Sequence, residues 1–275
     1  MFDSLANQGF QTEYQAHAEA ILEVDFPQVA TELEEVLLGA TIPIEEIIAS
    51  GGGEAKGTQR LRRGLASKGW KTRIFTIEKR IDGVPKEAIS HKVDHVRTFK
   101  LADGKDYTIA LEIEWNNKDP FFDRDLENFK RLHADGAISL GVIITRGKSL
   151  HESMRDLVRR FCHERQISSF EQLLEWGYDP TRRQRAAIQK RVARTKNPLS
   201  FAEAFVSTFV SDKFGEATTH WRKLEERVQR GVGNPCPLVL IGLPVSIVTF
   251  GEDKTTVKAL IEDAQGVDSG EPAED

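Results

Sequence analysis

Between residues 73 and 145 the spacing of hydrophobic positions changes several times. "RIFTIEKRID" and "HKVDHVRTFKL" alternate apolar with polar residues, and "YTIALEIEW" alternates again after the turn sequence "ADGK". "DPFFDRDLENFKRLHADG" then repeats its apolar residues at helical spacing, and "AISLGVIIT" is apolar almost throughout. Period two predicts half-buried strands, and the unbroken run predicts a strand covered on both faces. In the helical segment Phe122, Leu126, Phe129 and Leu132 or His133 form the apolar stripe. Asp119 is expected to cap that helix, with Pro120 in its first turn and Gly136 at its end. A strand, a helix and an apolar strand in succession form a right-handed crossover. The predicted fold class is therefore α/β: a mixed central β-sheet in which an antiparallel hairpin feeds a parallel pair, flanked by helices.

The flanks read less sharply. Residues 12 to 39 carry apolar positions at helical spacing, with Pro27 separating two predicted helices. Beyond 148 the pattern predicts helices over 149–165, 169–176, 181–195, 200–213 and 218–230, then a last buried strand at "PLVLIGLP". The expected organisation is one domain over 1–250, with a largely helical elaboration at about 166–234, and an acidic tail over 251–275. From about residue 264 that tail has too little apolar surface to fold. No run approaches the ~18–20 apolar residues that span a bilayer, and the first residues show no signal-peptide pattern, so a cytoplasmic location without membrane attachment is expected. Cys162 and Cys236 form neither a paired framework nor a CxxC metal spacing, and are expected to be buried or idle thiols.

Charge changes this picture because it is segregated. Residues 1–50 hold ten acids and no Lys or Arg, whereas 51–100 hold thirteen Lys and Arg against five acids. A second basic block, "TRRQRAAIQKRVARTK", carries seven positive charges and no negative one. The net charge of −5 would argue against a polyanionic partner, but a binding face depends on local density. The block "GGGEAKGTQRLRRGLASKGW" lacks the spacing of a phosphate-binding P-loop. It reads as an open, basic segment in which Lys56, Thr58, Gln59, Arg60, Arg62 and Arg63 are candidates for base and phosphate contacts. Arg can hold a guanine edge with two bonds, and Lys mainly neutralises phosphate.

The candidate chemistry lies in "ALEIEW". Residues two apart on a strand share a face, so Glu112 and Glu114 project together and Leu111, Ile113 and Trp115 project to the other side. If the preceding loop is Ala102-Asp103-Gly104, Leu101 faces Lys105 and Asp94 falls opposite Glu112. A two-residue loop would turn Asp94 to the wrong face. Three carboxylates so close repel unless something compensates them, and hard oxygen ligands on a strand suit Mg²⁺. Such an ion can polarise a phosphoryl oxygen and activate water, which is the chemistry of phosphodiester cleavage. The plainer alternative is an amphipathic strand with a wet acidic face. No GxSxG motif supports a serine hydrolase, and adjacent acids on one strand do not suit a glycosidase. His91 and His95 read as solvent or packing residues.

"VDHV", "ALEIEWNN", "DRDLENFKRLH" and "AISLGVIITRG" in this order resemble the core of type II restriction endonucleases of the BamHI and BglII group, within the PD-(D/E)XK nuclease superfamily. The likeness runs from about Ile74 to Lys148, and "PLVLIGL" resembles a late strand of that fold. The resemblance implies a homodimer that encloses a short palindromic site in double-stranded DNA and hydrolyses one phosphodiester per strand with Mg²⁺. Asp94 and Glu112 match the metal-binding acids, with the Ile113 carbonyl as a further ligand. Glu114 stands where lysine is usual in the wider superfamily. Because a carboxylate can accept a proton, Glu114 is assigned as base or second-metal ligand. Glu78 resembles an additional acid of the BamHI-like subset, although an exposed strand residue is the simpler reading. Asn116 and Asn117 resemble residues that enter the DNA groove, or they form a helix-entry turn.

The expected function is a sequence-specific, Mg²⁺-dependent DNA endonuclease of a restriction system that leaves 5′-phosphate ends. A structure-specific repair or junction-resolving nuclease, and a DNA-binding module without catalysis, are the alternatives.

Overall fold

The computed structural model describes residues 1–49 and 55–251. Its elements, in chain order, are α1 (Asp3–Asn7), β1 (Gln11–Gln15), α2 (Ala18–Val24), α3 (Pro27–Leu38), β2 (Ile42–Pro43), α4 (Ile44–Ile48), α5 (Lys56–Ser67), β3 (Lys71–Ile81), β4 (Val84–Lys100), β5 (Asp106–Glu114) and α6 (Pro120–Ala134). There follow β6 (Leu140–Arg146), α7 (Lys148–Glu164), α8 (Phe170–Glu175), α9 (Arg182–Val192), α10 (Phe201–Lys213), α11 (Trp221–Gln229), β7 (Leu238–Leu243), a short 3₁₀ turn and β8 (Val248–Thr249).

The chain divides into two compact units. Among the described residues, 1–39, 60–151 and 217–244 make the first; 40–49, 55–59, 152–216 and 245–251 make the second. The helical stretch expected at 166–234 thus divides at residue 216, with α11 belonging to the first unit. The second unit contains α8, α9, α10 and the parallel β2–β8 pair, and its aromatic centre joins Tyr178, Phe205 and Phe209.

The first unit is built on a six-stranded mixed sheet in the order β1-β7-β6-β5-β4-β3. β5, β6 and β7 run parallel, and β1, β4 and β3 are antiparallel to their neighbours. β6 and β7 are buried along their whole length, as their unbroken apolar sequence requires. One face of the sheet, with Val96, Ala110, Ile143 and Leu240, packs on Phe122, Leu126, Phe129 and Leu132 of α6 and on Trp221, Leu224 and Val228 of α11. Gly141 makes this approach possible: a Cβ there would meet the Phe129 ring at 2.4 Å. A larger residue would push α6 off the sheet.

Three expectations about local structure are corrected. "QTEYQ" at 11–15 is an edge strand, not the start of a helix, because β7 offers it a free edge. Left-handed backbone at Ala16 and His17 then separates it from α2. Residues 56–67 of the basic segment are helical, with Leu61 and Leu65 buried, while 50–54 lie outside the described residues. Asp119 precedes α6 without a side-chain capping bond; its carboxylate instead pairs with Arg227 at 3.4 Å and Lys223 at 3.9 Å. These pairs tie the start of α6 to α11. The tail beyond residue 251 lies outside the described residues. Both cysteines are buried and free, and no described helix is long and apolar enough to cross a membrane.

Candidate active site

The hairpin loop has the three-residue form. Leu101 N donates to Lys105 O at 3.1 Å, Gly104 N donates to Leu101 O at 2.9 Å, and Gly104 takes φ +79°. The register runs from Lys100 opposite Asp106 to His95 opposite Leu111. Continued by one residue, it brings Asp94 beside Glu112, and Asp94 N donates to Glu112 Oε1 at 3.2 Å. A bulge on the other side of β4 assists. Lys71 pairs with Val96 but Arg73 pairs with Val93, so Asp94 and His95 together oppose Thr72, whose hydroxyl donates to the Asp94 carbonyl at 3.0 Å. A bulge at a sheet position re-aims the side chains it carries.

The acids are not the wet face of an amphipathic strand. Glu112 is 6% exposed and Glu114 3%, because α6 covers the face on which they lie. That helix also contributes an acid the sequence reading missed: Asp125, 1% exposed. It lies one helical turn before Phe129, so the contact at Gly141 holds it over the end of β5. The signal was present as a charged residue beside the stripe of Phe122, Leu126 and Phe129, where α6 had to bury its surface.

Compensation within this cluster is thin. Glu112 accepts the Asp94 N–H, and Asn117 Nδ2 donates to Glu114 Oε2 at 2.8 Å. Arg124, half-exposed and stacked on the Phe121 ring at 4.4 Å, donates to Asp125 Oδ1 at 2.8 Å and lies 3.7 Å from Glu114 Oε1. The carboxyl groups of Glu114 and Asp125 are hydrogen-bonded to each other, and Asp125 Oδ2 has no N–H donor. Burial, then the charges of Asp125 and Asp94, hold the Glu112 carboxyl well above the usual range. Burial followed by the Asp125 charge pushes Glu114 up to about 8, and Asp125 is itself raised, chiefly by burial.

Two side chains of β6 secure the end of the acid-bearing strand. Thr145 Oγ1 donates to the Glu114 carbonyl at 2.7 Å, and Arg146 Nε to the Trp115 carbonyl at 2.7 Å. Arg146 is wholly buried, which lowers its pKa to about 9, and its Nη2 also reaches Thr218 Oγ1 and Thr219 O, each at 2.7 Å. The turn after β5 is further bonded by Thr219 N to Asn117 O at 2.8 Å. Arg146 therefore fixes where Asn117 meets Glu114.

The remaining candidates scatter. Glu78 is not brought to the cluster: it pairs with Ala88, about 20 Å along β4 from Asp94 at strand rise, projects to the other face, and forms an ion pair with Arg80 at 2.9 Å. Asn116 is exposed, whereas Asn117 is engaged with Glu114. On α5, Arg62 and Arg63 are exposed and Lys56, Thr58, Gln59 and Arg60 half-buried. Arg62 approaches the acid end of the sheet, since its charge helps lower the pKa of His95, which burial lowers first. His95 is buried, with its ring 3.3 Å from the Leu111 carbonyl, as expected of a packing residue.

A mixed sheet with an antiparallel hairpin, a crossover helix and flanking helices is the restriction-endonuclease-like α/β architecture. The chain belongs to the restriction endonuclease BglII/BglIII family, whose sequence model matches residues 10–243. It is accordingly a type II site-specific deoxyribonuclease of a restriction system, and it binds double-stranded DNA. Comparison with curated proteins gave no match.

Proposed function

We propose that the protein cleaves double-stranded DNA at a short palindromic site by Mg²⁺-dependent hydrolysis, acting as a homodimer and leaving 5′-phosphate ends. The observation that supports this most directly is the meeting of Asp94 on β4 with Glu112 and Glu114 on β5, three carboxylates with few donors between them. The donor set fits a hard divalent cation: oxygen ligands, two of them buried, with burial and mutual repulsion resisting ionisation. Asp94, Glu112 and the Ile113 carbonyl would hold it. Such an ion supplies Lewis-acid stabilisation of the charge that develops on the phosphate and lowers the pKa of a bound water.

The chain's own residues provide the rest. Glu114 takes a proton from the attacking water, and Asn117 orients its carboxylate by the bond at 2.8 Å. The water oxygen bonds to phosphorus opposite the 3′ oxygen, which leaves and takes up a proton. Arg62 and Arg63 on α5, with Lys56, Thr58, Gln59 and Arg60, form the proposed DNA contact, in which phosphate binding gives affinity and base edges give selection. Asn116 is the amide available for a base edge.

Incubating plasmid DNA with the protein and Mg²⁺, and sequencing the ends, tests the proposal. Discrete fragments with 5′-phosphate at one sequence are expected, with Glu112→Ala inert. Nicks that follow DNA structure, or cleavage that survives Glu112→Ala, would overturn it.

A further inference from the structure

We propose that the outer face of α9, in the second unit, is a sequence-independent contact for the phosphates of duplex DNA that flank the recognition site. It adds to the contact assigned to α5, and it rests only on the binding of double-stranded DNA that family membership gives, not on the metal reading of the acid cluster. The central observation is a set of cations that the fold leaves unused. No acid stands between Asp179 and Glu203, whereas seven Lys and Arg lie between residues 181 and 196. Three of the seven are engaged within the second unit. Arg183 pairs with Asp212 at 2.9 Å, Arg185 pairs with Asp179 at 3.0 Å and stacks on Phe170, and Arg191 Nη1 donates to the Ala187 carbonyl at 3.3 Å. Arg182, Lys190, Arg194 and Lys196 are exposed, and none has a carboxylate partner among the described residues.

Helix geometry gathers these charges on one side. Gln184 and Ile188 are the buried residues of α9, so the opposite side presents Arg182, Ala186, Gln189 and Lys190, all exposed, and Arg194 continues it past the last turn. Arg182 and Lys190 lie about 12 Å apart at 1.5 Å per residue, a reach of three to four phosphates of one strand at about 3.4 Å each along the duplex axis. The small Ala186 between them leaves room for a sugar–phosphate backbone. Local stability does not account for the pattern. A cation in the first turn opposes the helix dipole, and the neighbouring α8 and α10 carry Glu171 and Glu203 there instead. α9 has Arg182 and Arg183 in that place and no acid. Lys190 and Arg191 in its last turn suit the dipole, but Arg182 gains nothing from its own helix. A polyanion supplies the missing negative charge. The chain binds double-stranded DNA, whose backbone presents a phosphate at every step whatever the sequence. Because α9 belongs to a different unit from the acids, its phosphates are assigned to the flanks of the site and not to the cleaved step.

Binding of the intact chain to duplexes of about 12 and about 30 base pairs, followed by fluorescence anisotropy without metal ion from about 50 to about 200 mM salt, tests this. The variant carrying Arg182→Gln, Lys190→Gln, Arg194→Gln and Lys196→Gln together should bind the longer duplex about tenfold or more weakly. Its slope of log affinity against log salt should fall by about two or more, and its affinity for the shorter duplex should stay within about twofold. An unchanged slope on the longer duplex would overturn the proposal and leave α9 a solvated face. Equal weakening at both lengths would overturn it too, since a lower net charge acts on any duplex through the general field. Should the fourfold variant fail to fold, Lys190→Gln with Arg194→Gln decides alone: a slope lower by about one or more on the longer duplex is expected, and no change rejects the proposal. Its failure is distinguishable from failure of the cleavage reading. A wild type that shows this length dependence, lost in the variant, but cuts no DNA would remove the proposed hydrolysis and support the α9 contact. Absence of any duplex binding would remove the α9 contact together with the one on α5.

Discussion

Glu32 and Glu112 are both buried acids in the sheet-bearing unit, and their surroundings differ in kind. Glu32 on α3, 5% exposed, accepts Trp70 Nε1 at 2.9 Å, Arg97 Nη2 at 3.0 Å and Nε at 3.4 Å, and Gln28 Nε2 at 3.0 Å. Glu112, 6% exposed, has one backbone N–H at 3.2 Å and carboxylates on three sides. The first is a finished structural pair, in which an opposite charge and neutral donors replace water. The second carries desolvation and repulsion with little protein compensation. Native structures tolerate such deficits where function requires them. Burial alone therefore does not mark a site; burial without donors does.

The sharpest way to break this comparison is to neutralise each acid with its amide. Glu112→Gln should reduce DNA cleavage on the order of 10³-fold in a plasmid assay. It should also raise the thermal midpoint of the metal-free protein by roughly 2–4 °C, as about 1 kcal/mol of repulsion disappears. Glu32→Gln should do the reverse: a loss of about 3 kcal/mol in denaturant unfolding, since Arg97 is left without its carboxylate, with cleavage per folded molecule unchanged.

The pH dependence of stability sharpens the contrast. In the fold the Glu114 carboxyl is pushed up to about 8 from its ordinary 4.5, so between those limits the folded state holds a proton that the unfolded state has released. Stability from this group is complete below pH 4.5 and is lost as pH rises through about 8. Thermal midpoints of the wild type and Glu114→Gln should thus coincide in acid, with the variant gaining several degrees by pH 8. A gap that narrows as pH rises would contradict the assignment.

Divalent ion should close that gap. At ten times its dissociation constant Mg²⁺ should stabilise the wild type by about 1.4 kcal/mol. Glu32→Gln should retain the gain and Glu112→Gln should lose it, as differential scanning calorimetry would register. The smallest effect belongs to Glu78, whose carboxylate pairs with Arg80 on the far reach of the ribbon. Glu78→Gln should cleave within about twofold of wild type, in line with the near-neutral value of exposed ion pairs.

Much of the sheet was legible because its signals are local. The alternation of 106–114, the stripe of 120–134 and the apolar run of 140–146 each report the burial of their own segment, and the elements formed as read. The loop length that sets Asp94 against Glu112 was left open between two and three residues, and the structure takes the three-residue form. β1 was not legible, since "QTEYQ" is half-buried throughout and becomes a strand only because β7 leaves an edge to pair with. Glu78 entered as a candidate only through its resemblance to the additional acid of the BamHI-like subset; the simpler reading, an exposed strand residue, matches its place on a long ribbon far from Asp94.

What the sequence determined by itself is the order of elements between residues 106 and 146 and the shared face of Glu112 and Glu114, because strand alternation and helical spacing act over a few residues. Tertiary structure alone decided that α6 descends onto Gly141 and lays Asp125 over those acids, and that Arg146 ties residues 115 and 218–219 together. Electrostatic coupling depends on distance in space, and side chains on separate elements acquire that distance only when a core packs between them.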